Sequence, residues 1–303
     1  LSHGGTGRDA SAGGWRGVTT VGALLARQGF LLAPGVYDAL SAQLARRAGF
    51  EALFVSGYSV AASTLGEPDI GLLTQTEMLD AARRICRVVD CPVIVDADTG
   101  YGGILNVVRT VRELIEAGAK GCFLEDQVWP KRCGHMAGKK VVSLAEHREK
   151  IRAACDARGD ADFFIVARTD AREATGSLAD AIRRAEAYKA AGADALFVEA
   201  PQSLEELKEI SRRLPPPFVA NMLEGGVTPI LDREELRVLG FTIAVFPLTG
   251  LFAAARAQRE VFEHLRKTGT TRDILERLLT FHEFHQVVDL EGRRALDKRY
   301  DLG

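Results

Sequence analysis

Short apolar runs alternate with longer amphipathic stretches between residues 30 and 246 of the chain. The apolar runs are rich in β-branched and aromatic side chains, a pattern typical of buried strands. The sequence predicts strands at residues 30–33, 52–55, 93–95, 121–124, 163–167, 195–198, 218–220 and 243–246.

The stretches between these strands have the spacing of amphipathic helices. Helices are predicted at residues 39–48, 75–89, 106–117, 144–157, 178–191, 204–214 and 233–239. Several end in Ala-Gly-Ala or Ala-Gly-Phe, where glycine provides the left-handed helix stop. Eight alternating units predict an α/β fold, a single (β/α)₈ TIM-type barrel. The alternative is a doubly wound open sheet, which the lack of a GxGxxG turn after the first strand disfavours.

Composition indicates a globular protein with a large core rather than a nucleic-acid-binding or membrane protein. The 303 residues are 47% hydrophobic, with a net charge of −2 and no basic cluster. No apolar run approaches the roughly 18 residues needed to span a bilayer. The five cysteines form no CxxC pair, which predicts a reducing, cytoplasmic environment without disulfides.

Residues 1–17 differ from the rest of the chain, because they are rich in Gly, Ser and Arg and have almost no apolar periodicity. They predict a disordered tail, with a tag remnant or a trimmed organelle-targeting segment as the alternatives. The barrel with its C-terminal helices is then expected over residues 18–303.

Two aspartates, Asp96 and Asp98, follow the predicted strand at residues 93–95. The strand's period of two places both carboxylates on one face, where they repel each other and resist loss of water. A hard divalent cation, Mg²⁺ or alternatively Mn²⁺, relieves both costs. The competing interpretation is that Asp98 or Thr99 caps the helix that begins near Asn106. A cap needs only one acid, so the pair favours a metal site.

Nearly every other predicted strand also ends in polar residues, which a barrel brings to one mouth. These are Tyr37 and Asp38; Ser56, Gly57 and Tyr58; Glu125, Asp126 and Gln127; Arg168, Thr169 and Asp170; Glu199; Asn221 and Glu224; and Thr249. Any one of them has a solvated loop residue as its simpler explanation. Their coincidence predicts an acidic metal site with anion-binding groups around it.

Two long loops are predicted, at residues 56–74 and 127–143. The second carries the sequence KRCGH at residues 131–135, and its glycines predict a lid over the site. Neighbouring cations lower a thiol pKa, so Cys133 is predicted to be reactive. The alternative is a solvated basic loop with an incidental cysteine.

These motifs resemble those of the isocitrate lyase and phosphoenolpyruvate mutase superfamily over residues 20–300. The resemblance rests on DADTGYG at 96–102, the cysteine loop, ARTDAR at 167–172 and NMLEGG at 221–226. Within the superfamily, SGYSV at 56–60, FLEDQVWPK at 123–131 and FVEAP at 197–201 most resemble the petal death protein and 2,3-dimethylmalate lyase branch. Methylisocitrate lyases, oxaloacetate hydrolases and carboxyphosphonoenolpyruvate mutase are related branches.

The resemblance implies an assembly and a set of metal ligands. The eighth helix of the barrel would be swapped between subunits of a homotetramer, a dimer of dimers, with residues 273–279 and 281–300 as C-terminal elements outside the barrel. Asp96 would bind Mg²⁺ directly. Asp98, Glu125 and Asp69 would act mostly through its water shell.

The resemblance also implies roles toward a small dicarboxylate substrate. Its carboxylate would be bound by Ser56, Gly57 and Tyr58, and the second carboxylate and the enolate by Arg168, Glu199 and Asn221. Glu224 joins this set from the seventh strand end. Cys133 would be the general acid, with Lys131 and His135 beside it. Tyr58 stands where methylisocitrate lyases have glycine, which disfavours a tricarboxylate.

The implied reaction is cleavage of a 2-alkyl- or 2,3-dialkylmalate to a 2-keto acid and a carboxylic acid through an enolate, with oxaloacetate hydrolysis as an added activity. The alternatives are a carboxyphosphonoenolpyruvate-type phosphonomutase, a methylisocitrate lyase and, outside catalysis, a binding barrel that has lost activity. Nucleic-acid and membrane partners are not expected.

Overall fold

The computed structural model describes residues 19–300, in which eight parallel strands close into a barrel. Each strand pairs with its neighbours along the chain, and Leu31 of the first strand pairs with Ile243 of the last, which closes the ring. The strands are β1 (Leu31–Val36), β2 (Leu53–Val55), β3 (Val93–Asp96), β4 (Gly121–Glu125), β5 (Phe164–Thr169), β6 (Ala195–Val198), β7 (Phe218–Asn221) and β8 (Ile243–Phe246). The predicted (β/α)₈ barrel is confirmed, and the open sheet is wrong. The tail predicted for residues 1–17 lies outside the described residues.

Helices follow the strands and cover the barrel. They are α1 (Val21–Gln28), α2 (Ala39–Arg47), α3 (Gly57–Val60), α4 (Gln75–Cys86), α5 (Ile104–Glu116), α6 (Leu144–Arg158), α7 (Ala171–Ala174), α8 (Leu178–Ala190), α9 (Leu204–Arg213), α10 (Arg233–Val238), α11 (Thr249–Thr268), α12 (Phe281–Val287) and α13 (Leu290–Arg299). A π-helical turn at Ala61–Leu65 extends α3, and a 3₁₀ segment at Arg272–Arg277 follows α11. The predicted loop at residues 56–74 is therefore partly helical. None of the helices in residues 19–300 is long and apolar enough to cross a membrane.

Both faces of the strands are buried, which explains their nearly continuous apolar sequence. One set of side chains, including Phe54, Phe123 and Phe197, fills the barrel interior together with Val21 and Leu24 of α1. The alternate side chains pack outward against the helices and form the larger core. The aromatic ring of Phe123 contacts those of Phe54 and Phe197, with centroids 4.8 and 5.5 Å away. The interior is therefore packed, and the barrel leaves space only at its ends.

Five strands are longer at their carboxyl ends than the sequence predicts. Strand β1 ends at Val36, and β3, β4, β5 and β7 end at the polar residues Asp96, Glu125, Thr169 and Asn221. The apolar pattern stops earlier because Asp96, Arg168 and Asn221 face the mouth of the barrel. Thr169, next to Arg168, points the other way and donates to Asp126 Oδ2 at 2.8 Å. The backbones of these strand ends still pair with the neighbouring strands, as Glu125 does with Arg168. The strands thus carry the polar residues rigidly to the mouth.

The capping alternative for Asp98 and Thr99 is wrong. Helix α5 begins at Ile104, and Gly103 precedes it as the N-cap residue. The side chain of Asn106 accepts the Gly103 N–H at 3.1 Å, so the helix start is satisfied without either candidate. Asp98 therefore lies beside Asp96 at the mouth of the barrel and does not cap the helix.

Candidate active site

A cavity of about 40 Å³ lies at the carboxyl end of the barrel, beneath the loop at residues 127–143. Such a volume holds only a few water molecules. The loop therefore lies closed over the site. The polar residues that line the cavity are Ser56, Tyr58, Asp69, Asp96, Cys133, His135, Arg168 and Asn221.

Asp96 and Asp98 lie together, but for a different reason than strand alternation. Strand β3 ends at Asp96, and Asp98 has a left-handed φ of 47°. The Asp98 N–H donates to Asp96 Oδ1 at 3.1 Å. The turn stays attached to β4, because Ala97 N–H donates to Phe123 O at 3.0 Å and Glu125 N–H to Asp98 O at 2.9 Å. A turn held by the neighbouring strand thus brings the two acids together.

Lys131 lies between two of the acids. Its Nζ is 2.6 Å from Asp69 Oδ1 and 2.6 Å from Asp98 Oδ1, and all three side chains are buried. Burial lowers the pKa of Lys131, but the surrounding carboxylates, Asp98 first, outweigh it and hold the pKa well above its usual range. The resemblance implies that Lys131 acts beside Cys133. In the structure its ammonium group is instead paired with Asp69 and Asp98.

Asp98 and Glu125 are buried acids whose charge is only partly compensated. Burial raises the pKa of Asp98 to about 7, since Lys131 opposes the effect incompletely and Asp96 adds to it. Burial also holds the pKa of Glu125 well above its usual range, although Arg168 lowers it. Asp98 Oδ2 and Glu125 Oε1 have no hydrogen-bond donor in residues 19–300. Both oxygens are thus available to a further positive group.

This oxygen set fits a hard cation held largely through water. A Cβ at Gly57 would lie 3.0 Å from Asp96 Oδ2, so glycine there keeps the space beside the carboxylate open. No three His, Cys, Asp or Glu side chains of the described chain are grouped closely enough to hold a metal directly. Mg²⁺ does not require this, because it keeps several waters and takes one or two carboxylates. Of these three acids Asp96 lines the cavity and would be the direct ligand, and Asp98 and Glu125 lie behind it.

Arg168, at the end of β5, lies among buried acids. Its Nε and Nη2 donate to the two carboxylate oxygens of Asp170 at 2.9 and 3.0 Å. Nη2 also lies 3.3 Å from Glu125 Oε2, and Nη1 lies 3.5 Å from Glu199 Oε2. The guanidinium carbon is 5.3 Å from the centre of the Phe197 ring. A bidentate pair fixes the plane of a guanidinium, so Arg168 presents an oriented positive group to the cavity.

Asp170, Lys139 and Asp126 are buried around Arg168. The sequence predicts the two aspartates at the mouth of the barrel but gives none of the three residues an individual role. Lys139 Nζ donates to Asp170 Oδ1 at 2.9 Å, and Asp126 accepts the Asp170 N–H at 2.9 Å. Burial raises the pKa of Asp170, but Arg168 and Lys139 outweigh it and hold the pKa below its usual range. The two aspartates do end predicted strands. The sequence does not indicate that they pair with other side chains rather than face the cavity.

Cys133 lies in the loop that covers the cavity. Its N–H donates to Asp69 O at 3.1 Å, which joins this loop to the one after β2. Burial raises the thiol pKa to about 11. The neighbouring cations do not reverse this, because Lys131 faces the acids and Arg132 donates to Ala137 O. The prediction of a lowered thiol pKa is wrong, and Cys133 is a protonated thiol at neutral pH.

His135 connects the same loop to the ends of β6 and β7. Its Nδ1 accepts the Val227 N–H at 3.0 Å, which leaves the proton on Nε2. Nε2 lies 3.0 Å from Glu199 Oε1, within ion-pair distance but without the alignment of a hydrogen bond. Asn221 Nδ2 donates to the same oxygen at 3.1 Å. Burial raises the pKa of Glu199, but Arg168 and His135 outweigh it and lower the pKa. Glu199 is therefore an ionised anchor for three polar side chains.

The residues predicted to bind a carboxylate are only partly brought together. Ser56 is the N-cap of α3, and Tyr58 lies within that helix against Phe252, with ring centroids 6.5 Å apart. Both line the cavity. Glu224 instead accepts a hydrogen bond from Thr249 Oγ1 at the start of α11. Within residues 19–300, Glu224 is not among the residues that line the cavity.

The fold and this arrangement define a (β/α)₈ barrel with its site at the carboxyl end of the strands, where enzymes of this fold carry theirs. The sequence model of the phosphoenolpyruvate phosphomutase family matches residues 22–266. The chain belongs to this family, the phosphoenolpyruvate mutase/isocitrate lyase family, and is an enzyme of the carbon–carbon lyase type. The resemblance seen in the sequence is confirmed.

Three curated relatives illustrate the similarity. A chloroplastic carboxyvinyl-carboxyphosphonate phosphorylmutase of Arabidopsis thaliana is 53% identical over 280 residues, 91% of this chain and 83% of the relative. The petal death protein of Dianthus caryophyllus is 53% identical over 283 residues, 93% of this chain and 89% of the relative. The 2,3-dimethylmalate lyase of Eubacterium barkeri is 44% identical over 280 residues, 92% of this chain and 96% of the relative.

Solved structures agree with this assignment. A 2,3-dimethylmalate lyase superposes with a TM-score of 0.87 at 37% identity, over 93% of this chain and 96% of that one. A phosphonopyruvate hydrolase in complex with oxalate and Mg²⁺ superposes with a TM-score of 0.80 at 30% identity, over 89% of this chain and 94% of that one. The similarity thus extends over nearly the whole described barrel.

Proposed function

We propose that this chain is a Mg²⁺-dependent lyase that cleaves the C2–C3 bond of a 2-alkyl- or 2,3-dialkylmalate, and that it also hydrolyses oxaloacetate. The observation that carries the proposal is the protonated thiol of Cys133, closed over a cavity that also contains Asp96 and Arg168. Such a lyase needs a cation site for the 2-hydroxy acid, positive groups for an enolate and an acid for its carbon. The similarity to 2,3-dimethylmalate lyases supports the substrate class.

Asp96 would hold Mg²⁺ directly, and Asp98, Glu125 and Asp69 would hold its waters. When bound, the ion lowers the pKa of a coordinated hydroxyl and so favours loss of its proton. The oxygens of Asp98 and Glu125 that lack a donor in the described chain support this assignment. The oxalate and Mg²⁺ complex of the phosphonopyruvate hydrolase supports it from outside the chain.

The chain's own residues would act on the carbon skeleton. The 2-hydroxyl passes its proton to a base, for which Tyr58 or an acid near the cation would serve, and a C2–O double bond then forms as the C2–C3 bond breaks. The electron pair passes to C3 and the adjoining carboxylate, which gives an enolate. Arg168, His135 and Asn221 stabilise this negative charge. Cys133 then donates its thiol proton to C3, and the products are a 2-keto acid and a carboxylic acid.

The phosphonomutase is the second candidate, because the Arabidopsis relative at 53% identity bears that name. A mutase would stabilise the same kind of negative charge with the same cation site and the same positive groups. It has no step in which an enolate carbon receives a proton. The buried, protonated thiol of Cys133 therefore favours the lyase.

The proposal includes a homotetramer with swapped helices. Helix α11 has no buried residue within the described chain, and Phe252, Phe262 and Leu265 on it are exposed by 41%, 63% and 42%. An amphipathic helix of 20 residues normally covers an apolar stripe. A second subunit would cover it in a dimer of dimers. Light scattering coupled to gel filtration tests this assembly.

A substrate panel tests the proposed activity. Keto-acid release is measured with 2,3-dimethylmalate, 2-methylisocitrate and oxaloacetate, and phosphonate formation with carboxyphosphonoenolpyruvate, each with Mg²⁺ and after chelation. Dimethylmalate is expected to be the best substrate, and 2-methylisocitrate a poor one because Tyr58 narrows the carboxylate corner. Comparable specificity constants for those two would contradict the size argument. Turnover that survives exhaustive chelation would contradict the metal dependence.

A further inference from the structure

We infer that Lys139 is a positioning residue that holds the Cys133 loop closed and orients Arg168 beneath it. The inference rests on the proposed function only in that the loop then carries the proton donor. Its structural part concerns how the loop is fastened to the barrel.

The first observation is that Lys139 is completely buried although it is in a surface loop. Its side chain has 0% exposure, and its Nζ donates to Asp170 Oδ1 at 2.9 Å and to the carbonyl oxygen of Gly134. Burial of an ammonium group is costly unless the group is paired and hydrogen-bonded. The closed loop therefore depends on the Asp170 carboxylate at the end of β5.

The second observation is the close approach of Gly134 to the site. A Cβ there would lie 2.5 Å from Arg168 Nη2 and 2.5 Å from Glu199 Cδ. The peptide next to Cys133 is thus pressed against Arg168, which lines the cavity, and against Glu199 beside it. The hydrogen bond from Lys139 to the Gly134 carbonyl holds the same residue in place.

The third observation is an outer attachment of the same segment. The carboxylate of Glu173, in α7, accepts the N–H groups of Gly138 and Lys139 at 3.0 and 3.3 Å. Asp170 and Glu173 thus flank one short helical turn and hold the side chain and the backbone of Lys139 respectively. Fastening at two points restrains both the position and the direction of the loop.

The consequence is a mechanical link between loop and arginine. Asp170 binds Arg168 in bidentate fashion and Lys139 at the same time. When the loop opens, Asp170 loses one of its two cations and Gly134 leaves the guanidinium. Closure therefore completes the environment of Arg168 and places the Cys133 thiol in one step. Lys139 itself does not line the cavity in the described chain, so it acts through these partners.

The test compares Lys139→Met with Lys140→Met. The two lysines are adjacent, and Lys140 is exposed, so the second variant controls for loss of one loop charge. Hydrogen exchange of residues 127–142 is followed in the unliganded protein and with Mg²⁺ plus oxalate. Turnover is measured with whichever malate the wild type cleaves. Lys139→Met is expected to speed exchange of the loop and to lower kcat about 10²-fold with a much smaller change in KM, as misplacement of a reacting group by about 1 Å does. Lys140→Met should match the wild type in both.

Glu173→Gln is the milder second variant, since it keeps the surface shape and weakens only the outer attachment. Faster exchange at residues 138–140 with a smaller loss of kcat is expected. Unchanged exchange in Lys139→Met, or faster exchange with unchanged kcat, would overturn the inference. So would a lower kcat with unchanged exchange, because Lys139 would then not act through the loop. If the wild type cleaves no malate, the proposed function fails, while exchange and oxalate affinity still decide whether Lys139 fastens the loop.

Discussion

Asp98 and Asp170 are two fully buried aspartates at the same mouth of the barrel, with opposite shifts in pKa. Burial raises the pKa of Asp98 to about 7, whereas the pKa of Asp170 is held below its usual range against the same effect. Asp170 is paired with two cations, Lys139 and Arg168, and it is the acid that Arg168 binds in bidentate fashion. Asp98 shares one lysine with Asp69 and has Asp96 beside it.

This difference separates the mouth into two regions with different tasks. The β5 side, around Asp170, is preorganised, since its charges are paired and its guanidinium is fixed. The β3 side, around Asp98, has more negative charge than its lysine can offset, which is the condition that a bound cation relieves. The charges of the β5 side are balanced within the polypeptide, and under the proposed function a cation would balance those of the β3 side.

Of the substitutions that test this difference between the two regions, Asp96→Ala should have the largest effect on Mg²⁺ binding and turnover. Asp96 is the acid of the β3 side that lines the cavity, so its removal should abolish Mg²⁺ binding and reduce turnover by at least about 10⁴-fold. The fold should be intact, because Asp96 ends a strand and supports no core contact. Calorimetric titration with Mg²⁺ and circular dichroism measure the two effects. Glu67→Ala, an exposed acid on the preceding loop, is the control. Retention of tight Mg²⁺ binding would show that the cation site lies elsewhere.

Cys133→Ser should reduce malate cleavage by about 10²–10⁴-fold, the usual contribution of a positioned general acid. Serine keeps the size of the side chain but is far less acidic than even a thiol with a pKa of about 11. Affinity for Mg²⁺ and oxalate should barely change, since neither region of the mouth loses a charge. Cys155→Ser, a cysteine of α6, is the matched control. A variant that retains more than about a tenth of wild-type cleavage would remove Cys133 from the mechanism.

Asp170→Asn and Asp98→Asn compare the two regions directly in metal-free protein. Asp170→Asn should lower the free energy of unfolding by about 3–5 kcal/mol, because it leaves two buried cations short of a carboxylate. Asp98→Asn should cost much less, since it also removes repulsion from Asp96. Thermal unfolding in the presence of a chelator measures both. Equal losses would mean that the two aspartates are compensated alike, contrary to their surroundings.

The barrel was predictable because its signal is repeated along the whole chain. Buried strands followed by amphipathic helices define eight units, and an error of a few residues in any one of them leaves the architecture unchanged. A structural feature that occurs only once in the chain is harder to predict from the sequence. Helix α11 packs little against its own chain, and the short helix α3 lies within residues 56–74, which the sequence predicts as a loop.

The sequence predicted which residues meet at the site better than it predicted which of them form ion pairs with one another. Strand ends must meet at the mouth, so Asp96, Arg168 and Glu199 could be grouped from the sequence. Which acid binds which cation depends on side-chain directions that sequence spacing does not contain. Lys131 was therefore expected to lower the thiol pKa of Cys133, whereas it lies between Asp69 and Asp98. The lowered thiol pKa expected for Cys133 assumed a contact with Lys131 that the ion pairs of this lysine replace.

His147 provides a third case beside the two aspartates, a buried titratable group from which burial has removed the charge. It lies on α6 with its ring 4.7 Å from that of Tyr188, and Lys150, Arg184 and Asp170 are the charged groups around it. Burial, and then Lys150, lower its pKa from 6.5 to about 3. The folded protein therefore binds fewer protons than the unfolded chain between these values.

The sign of the expected effect follows from that difference in bound protons. The stability that depends on neutral His147 is complete above the unfolded pKa of 6.5 and is lost as the pH falls from 6.5 toward 3. At about pH 5 the loss should be about 2 kcal/mol, at about 1.4 kcal/mol per pKa unit.

His147→Phe keeps a ring against Tyr188 and removes the titration. The variant should therefore gain several degrees in thermal midpoint relative to the wild type between about pH 7.5 and pH 5. His282→Phe, at an exposed histidine of α12, should not. If His147→Phe and the wild type lose stability in parallel over this range, His147 titrates normally, and burial at this position does not outweigh the nearby carboxylate of Asp170.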